Sequence, residues 1–261
     1  MTATTMAAPA ARRRSAITAL TITELKLFTR GRALVGLGVS TGVPVLLLII
    51  FGCIHAFKTP VARYGGLTTL DVYVPILLVF GMTALSLLTV PATLADYRDL
   101  GVLRRLKTTP VGPARVLAAQ LVVKLAAAVV TVVVILVVAR VGFGVAMPRQ
   151  AGGFVVSGLV ATAALMAIGL FVAAVAPNAG AARGIGAILL YLMMFFAGLW
   201  LPIQSMPQEL QHISHATPLG AAVPALQNAA LGHWPTWLQL VTMAGYALAF
   251  GLGAARFFRW E

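Results

Sequence analysis

Few residues of this chain carry chemistry, and their spacing excludes most of what they could do. The acidic residues are Glu24, Asp71, Asp96, Asp99, Glu209 and Glu261. None forms a paired-carboxylate site, and no nucleophile stands beside a base, so catalysis within the chain is not expected. His212 and His215 lie three apart and share a helical face, but no third ligand is near, so they read as surface histidines and no metal site is expected. A phosphate-binding loop needs Gly directly before Lys, to bring backbone amides round the phosphates. Lys26, Lys58, Lys107 and Lys124 follow Leu25, Phe57, Leu106 and Val123. Any ATP-driven work would therefore need a nucleotide site on another polypeptide. The lone cysteine, Cys53, lies in an apolar run and reads as a buried, inert thiol. Lys124 is the one ionisable group deep inside an apolar run, about two helical turns from its start. It either snorkels back to an interface or lines a cavity and meets an anionic substrate.

The elements that must hold these residues are membrane spans. Of 261 residues, 60% are hydrophobic and only 10% charged, against about 25% charged in soluble proteins. So little polar surface suits lipid, not water. A span needs ~20 apolar residues to cross ~30 Å of hydrocarbon. Six stretches qualify: 34–54, 72–95, 116–139, 152–176, 184–201 and 237–255, the first carrying Pro44 as a kink. The expected fold is an all-α membrane protein, a single transmembrane domain covering 1–261. Gly38 with Gly42, and Gly180 with Gly184, are weak hints of helix packing. The N-terminus does not read as a cleavable signal, because Arg12 to Arg14 are not followed by an adjacent apolar core.

Net charge is +13, but its distribution matters more than its sum. Arg12, Arg13, Arg14, Lys26, Arg30 and Arg32 precede the first span, and Arg98, Arg104, Arg105, Lys107 and Arg115 share one loop. Arg183, Arg256 and Arg259 fall on the same side. The opposite loops hold only Lys58, Arg63, Arg140 and Arg149. Positive residues gather on the cytoplasmic side, so both termini are expected inside. Trp200, Trp234 and Trp237 then fall at the outer boundary, Tyr97 and Trp260 at the inner one. This is an anchoring pattern rather than a nucleic-acid face, and no nucleic-acid partner is expected.

Three segments interrupt the spans. In 15–32, Ile17, Leu20, Leu27 and Phe28 share a helical face opposite Thr23, Lys26 and Arg30, the pattern of an amphipathic helix lying in the inner interface against membrane lipids. Glu24, at its apolar edge, either pairs with a nearby arginine or contacts a partner. In 96–115, DYRDLGVLRRLKTTPVGPAR, the leucines Leu100, Leu103 and Leu106 recur every third residue beside Arg104, Arg105 and Lys107, and Pro110 and Pro113 end the pattern. A short helix docking on another protein fits this arrangement, with inner-leaflet binding as the alternative. Five prolines break 202–235, and from Leu210 to Ala255 the chain lacks any Asp, Glu, Lys or Arg. Two short helices, 208–215 and 219–231, dipping back into the outer leaflet are expected.

In this order, the helix ending at Arg32, DYRDLGVLRRLKTTPVGPARVLAAQ and LPIQSMPQELQHISHATPLGAAVPAL resemble the membrane subunit of a type 2 ABC exporter, the class that includes daunorubicin-resistance permeases. The resemblance implies a permease that pairs with a second copy or a homologous permease and binds two cytoplasmic ATPase subunits, which would carry the ATP and magnesium. No cofactor is implied for this chain. The resemblance makes 96–109 a coupling helix, with Asp96, Tyr97, Arg98, Asp99, Leu100, Leu103, Arg104, Arg105, Leu106 and Lys107 toward the ATPase. Members commonly carry glutamates where Tyr97, Arg98 and Asp99 stand. Glu24, Lys26, Arg30 and Arg32 would belong to the interfacial helix. Lys124, Met193, Met194, Phe195 and Phe196 could line a translocation path, though the last four could equally face core or lipid. A stand-alone carrier or channel, and a membrane scaffold without transport, are the rival functions. The substrate (drug, lipid or glycan type) is not legible. Abundant Ala, Val and Gly, with Arg over Lys, fits a GC-rich bacterium and hence a bacterial plasma membrane.

Overall fold

A computed structural model describes residues 36–61, 67–102 and 113–257. The expected interfacial helix, with Glu24, Lys26, Arg30 and Arg32, and the stretch Leu103 to Lys107 lie outside the described residues. Eight helices carry the argument. These are α1 (Gly38–Cys53), α2 (Thr69–Asp99), α3 (Pro113–Phe143), α4 (Ala151–Val175), α5 (Ala179–Phe196), α6 (Gln208–Ala216), α7 (Pro218–Leu231) and α8 (Trp237–Phe257). No strand forms among the described residues, only an isolated bridge between Pro60 and Thr68. Helices α2, α3, α4, α5 and α8 are long and apolar enough to cross a membrane, whereas α1 is shorter. This is a multi-pass helical membrane protein, the architecture in which every backbone hydrogen bond can close within its own segment.

Helix α2 is the centre. In its most apolar window 94% of residues are buried, against 11% in α8 at the periphery. It packs on α1, α3, α4, α5 and α7, while α8 lies along α4 and α7. Its start is fixed by a capping box: the Thr68 hydroxyl accepts from the Asp71 N–H at 3.1 Å and the Asp71 carboxylate accepts from the Thr68 N–H at 3.0 Å. Midway, Leu85–Thr89 widens into a π-helical turn just before Pro91. Proline has no N–H to return to the carbonyl of Leu87 four residues back, nor to that of Ser86 five back, the partner a π turn would use. Both carbonyls meet glycine. A Cβ on Gly169 of α4 would lie 2.4 Å from the Ser86 carbonyl oxygen, and one on Gly186 of α5 would lie 2.1 Å from that of Leu87. Only glycine lets these backbones approach so closely.

The elements of the opposite end of the bundle also hold one another. The Arg149 and Gln150 N–H groups, before α4, donate to the Ala230 and Ala229 carbonyls at the end of α7, at 3.3 and 3.0 Å. The Ser214 hydroxyl of α6 donates to the Phe196 carbonyl at 2.6 Å, and the Gln227 amide of α7 to the Val72 carbonyl near the start of α2 at 3.3 Å. Trp200, Trp234 and Trp237 are all exposed there, as amphipathic rings at a lipid–water boundary are.

Several boundaries differ from the sequence reading. Span two does not stop at Ala95; α2 runs on through Asp99, so Asp96 to Asp99 continue a span and do not open a separate helix. The helix of span three starts at Pro113, whose fixed φ suits a first helical turn, while its membrane-crossing stretch begins at Leu117, close to the expected 116, and runs on to Phe143. Span five runs earlier than 184–201: Asn178 caps its start, accepting from the Ala181 N–H at 2.8 Å, and Gly198, at φ +87°, follows its end. Cys53 is exposed, not buried: α1 packs on α2 and α3 along one side, and an apolar run can meet lipid as readily as protein. Gly38, Gly42 and Gly184 meet nothing within 4 Å among the described residues, so neither glycine pair forms a close helix contact there.

Gly184 and Gly186 of α5 therefore make opposite predictions. Gly186→Ala drives a Cβ into the Leu87 carbonyl and lowers stability by about 1–3 kcal/mol. Gly184→Ala meets open space and leaves stability unchanged or raised by up to about 1 kcal/mol. Thermal unfolding of the detergent-solubilised protein reads both.

Candidate functional site

The densest set of specific polar contacts joins the last turn of α2 to the turn between α4 and α5. That turn forms because Pro177 cannot continue α4 and Asn178 is a strong N-cap for α5. A helix ending beside a helix starting leaves carbonyls on one side and N–H groups on the other without partners in their own helix. The end of α2 supplies them. The Arg98 guanidinium (Nη2) donates to the Ala176 carbonyl at 2.6 Å. The Asp99 carboxylate (Oδ2) accepts from the Ala179 N–H at 3.0 Å. Each charge has the sign its helix end favours, cation at the C-terminus of α4 and anion at the N-terminus of α5.

One turn further along α5, Arg183 Nη2 donates to both carboxylate oxygens of Asp96, at 2.7 and 2.9 Å. Arg98 also lies 3.9 Å from Asp99. Beneath these charges the seam is alanine: Ala95, Ala176, Ala179 and Ala182 form their own buried cluster. Their small side chains bring the backbones close enough for short charged groups to reach across. The Asp96–Arg183 pair is half exposed, so taken singly it is worth only about 0–1 kcal/mol. The strength of the clasp lies in three side chains acting on one turn. Beyond it, α2 ends at Leu100, which is 70% exposed, and Gly101, at φ +67°.

The other residues singled out by sequence do not gather into one site. Tyr97 lies beside the clasp, partly buried. Lys124, on α3, is 3% exposed, so it is enclosed by the fold and does not lie on the lipid-facing surface. Gln120, one turn earlier, is also buried, at 4%. Met193 to Phe196 form the last turn of α5: Met194 is fully buried in the main core, whereas Met193, Phe195 and Phe196 are partly exposed. The Phe195 and Phe196 rings meet edge to face at 5.4 Å, and the Phe196 carbonyl anchors α6. Helices α3 and α5 share no extended contact, so Lys124 and this quartet line no common wall among the described residues. His212 and His215 are exposed on α6, and no group of metal-ligating side chains occurs among the described residues.

The sequence reading missed Arg183 and the two backbone groups at Ala176 and Ala179. Pro177 with Asn178 was the available signal for the turn, but no local pattern tells which charged segment will meet it.

The sequence profile of the ABC-2 type transporter family matches residues 15–231. The chain belongs to that family. A comparison with curated proteins returns no match. The match covers the charged loop, the clasp and helices α1 to α7, and it makes the chain a permease component of an ABC transporter. Asn178→Ala removes the N-cap of α5 in this permease and costs about 1 kcal/mol, whereas Asn178→Asp retains it. Thermal unfolding of the two variants side by side checks the difference.

Proposed function

We propose that this permease exports a hydrophobic or amphipathic substrate (drug, lipid or glycan type) from the cytoplasm, driven by two ATPase subunits on separate chains. The observation that carries the reading is the family match across 15–231, with the leucine-and-arginine loop at the end of the central helix. In this reading 96–109 is the coupling segment. Leu100, Leu103 and Leu106 enter an apolar groove of the ATPase, and Arg104, Arg105 and Lys107 meet acidic residues at its rim. Residues 15–32 form the interfacial helix, with Glu24, Lys26, Arg30 and Arg32 at headgroup level. The chain forms one domain of six spans, 34–54 being completed by residues that precede α1. Helices α6 and α7 are external and re-entrant.

The count of lysine and arginine by loop supports both termini in the cytoplasm of a bacterial cell. A second copy, or a homologous permease, supplies the other wall of the path. Nucleotide and magnesium sit on the ATPase subunits, since no lysine here follows a glycine. ATP closure of the two ATPase subunits draws the coupling segments together and shifts the spans between inward- and outward-open populations. Lys124 on α3 and, on a separate wall, Met193, Phe195 and Phe196 of α5 remain the proposed path residues, with Met194 packed in the core behind them. Lys124 suits an anionic headgroup once substrate enters the bundle.

The test is purification of the permease with its native partners, and mass spectrometry of proteins, lipids and small molecules retained. An ATPase subunit in stoichiometric amount is expected; transport by the permease alone would instead favour a stand-alone carrier. Leu103→Asp places a charge in the apolar contact. It should leave insertion intact while uncoupling hydrolysis from transport of the retained molecule by tenfold or more, roughly the effect of losing one interface anchor of 1–2 kcal/mol. Transport at the native level in that variant overturns the docking assignment.

A further inference from the structure

We propose that Asp96, Arg98 and Asp99 are positioning residues that fasten the coupling segment to the turn between α4 and α5, so that its movement passes directly into α5. The inference rests on the coupling role proposed for the segment that follows Asp99.

The geometry makes the end of α2 and the start of α5 one body. Arg98 holds the C-terminal carbonyl of α4, Asp99 holds the first N–H of α5, and Asp96 grips Arg183 one turn along. Separating α2 from this turn uncaps two helix ends of opposite polarity at once, besides breaking the ion pair. The alanine seam of Ala95, Ala176, Ala179 and Ala182 leaves no long side chain to slide or cushion the contact. Just beyond the clasp, Leu100 is exposed and Gly101 takes a left-handed φ of +67°. Force arriving at Leu100 therefore reaches the bundle first through Asp99 and its neighbours. These three residues face inward onto their own chain and would act on the ATPase only through the leucines and arginines that follow. Helix α5 is the natural recipient, because it is gripped at its first turn and again at Arg183, and it packs against α2 up to the π turn at Leu87.

The experiment uses the complex of permease and ATPase subunits in lipid nanodiscs. Tyr191, an exposed residue of α5, is replaced as Tyr191→Cys in a Cys53→Ala background, since Cys53 is itself exposed. Maleimide labelling is compared without nucleotide and with ATP plus vanadate. The expected result is a nucleotide-dependent change in labelling rate of about fivefold or more, as a shift between bundle states of 1 kcal/mol or greater gives. Arg98→Ala and Arg183→Gln should abolish that change while the ATPase subunits stay bound. The charge swap Asp96→Lys with Arg183→Glu should recover it, which a purely structural role would not require. Native-like responses in Arg98→Ala and Arg183→Gln, no response in the parent complex, or a swapped pair that assembles but stays unresponsive would each overturn the proposal. Should the single variants fail to assemble, the swapped pair alone decides between recovery and its absence. Loss of the ATPase subunits from the parent complex would instead count against the docking assignment, and so is told apart from failure of the clasp.

Discussion

A helix enclosed by other helices has no water to which it can surrender a backbone hydrogen bond. Helix α2 is in that position along nearly its whole length, and the rest of the bundle is arranged around its two departures from regularity. At Pro91, just after the π turn, the helix lacks the N–H that would reach back to the carbonyl of Leu87 or, in a π pattern, of Ser86. The neighbours at that level are Gly169 and Gly186, which bring their backbones against those carbonyls. The contact fixes how α4 and α5 cross α2, because any larger residue would hold them off. A π turn in a central span is also a place where the helix can change its winding without losing many bonds.

The second departure is the end of α2. Here the same demand for partners is met by charge. Arg98 and Asp99 extend the helix by acting as caps for two others, and the sign of each matches the dipole it meets. A single half-exposed ion pair would hold little. Three side chains on one short turn, over a close alanine seam, hold it because they must break together. The mechanical reading of this permease follows from that cooperativity. The clasp itself is committed to its own chain, each of its side chains meeting a group on the α4–α5 side.

Much of this was legible in the residues. The spans appear because charge is absent for ~20 residues at a time, and the helices at Gln208–Ala216 and Pro218–Leu231 because prolines punctuate a stretch whose one charged residue is Glu209. Boundaries moved where a capping group outweighed hydropathy. Asn178 caps α5, which starts five residues before the apolar run 184–201, and Asp96 and Asp99, expected to open a separate short helix, instead continue α2, where Arg183 and the Ala179 N–H meet them. Cys53 illustrates the reverse error. Apolarity predicts exclusion from water, and in a membrane protein exclusion from water does not mean burial in protein.

By itself, the sequence determined that this chain lives in a bilayer, that none of its lysines follows a glycine as a phosphate-binding loop requires, and that its positive charges concentrate before the first apolar run and in the loop after the second. Each follows from composition, or from the order of residues over a few turns. The tertiary structure decided what the charged residues are for. Hydropathy and periodicity are local, so they can say that Asp96, Arg98 and Asp99 lie at a span's end. Their partners at Ala176, Ala179 and Arg183 are about eighty residues away in the chain, and two of those partners are backbone groups that carry no residue signature. Only packing α2 against the α4–α5 turn could bring them within hydrogen-bond reach.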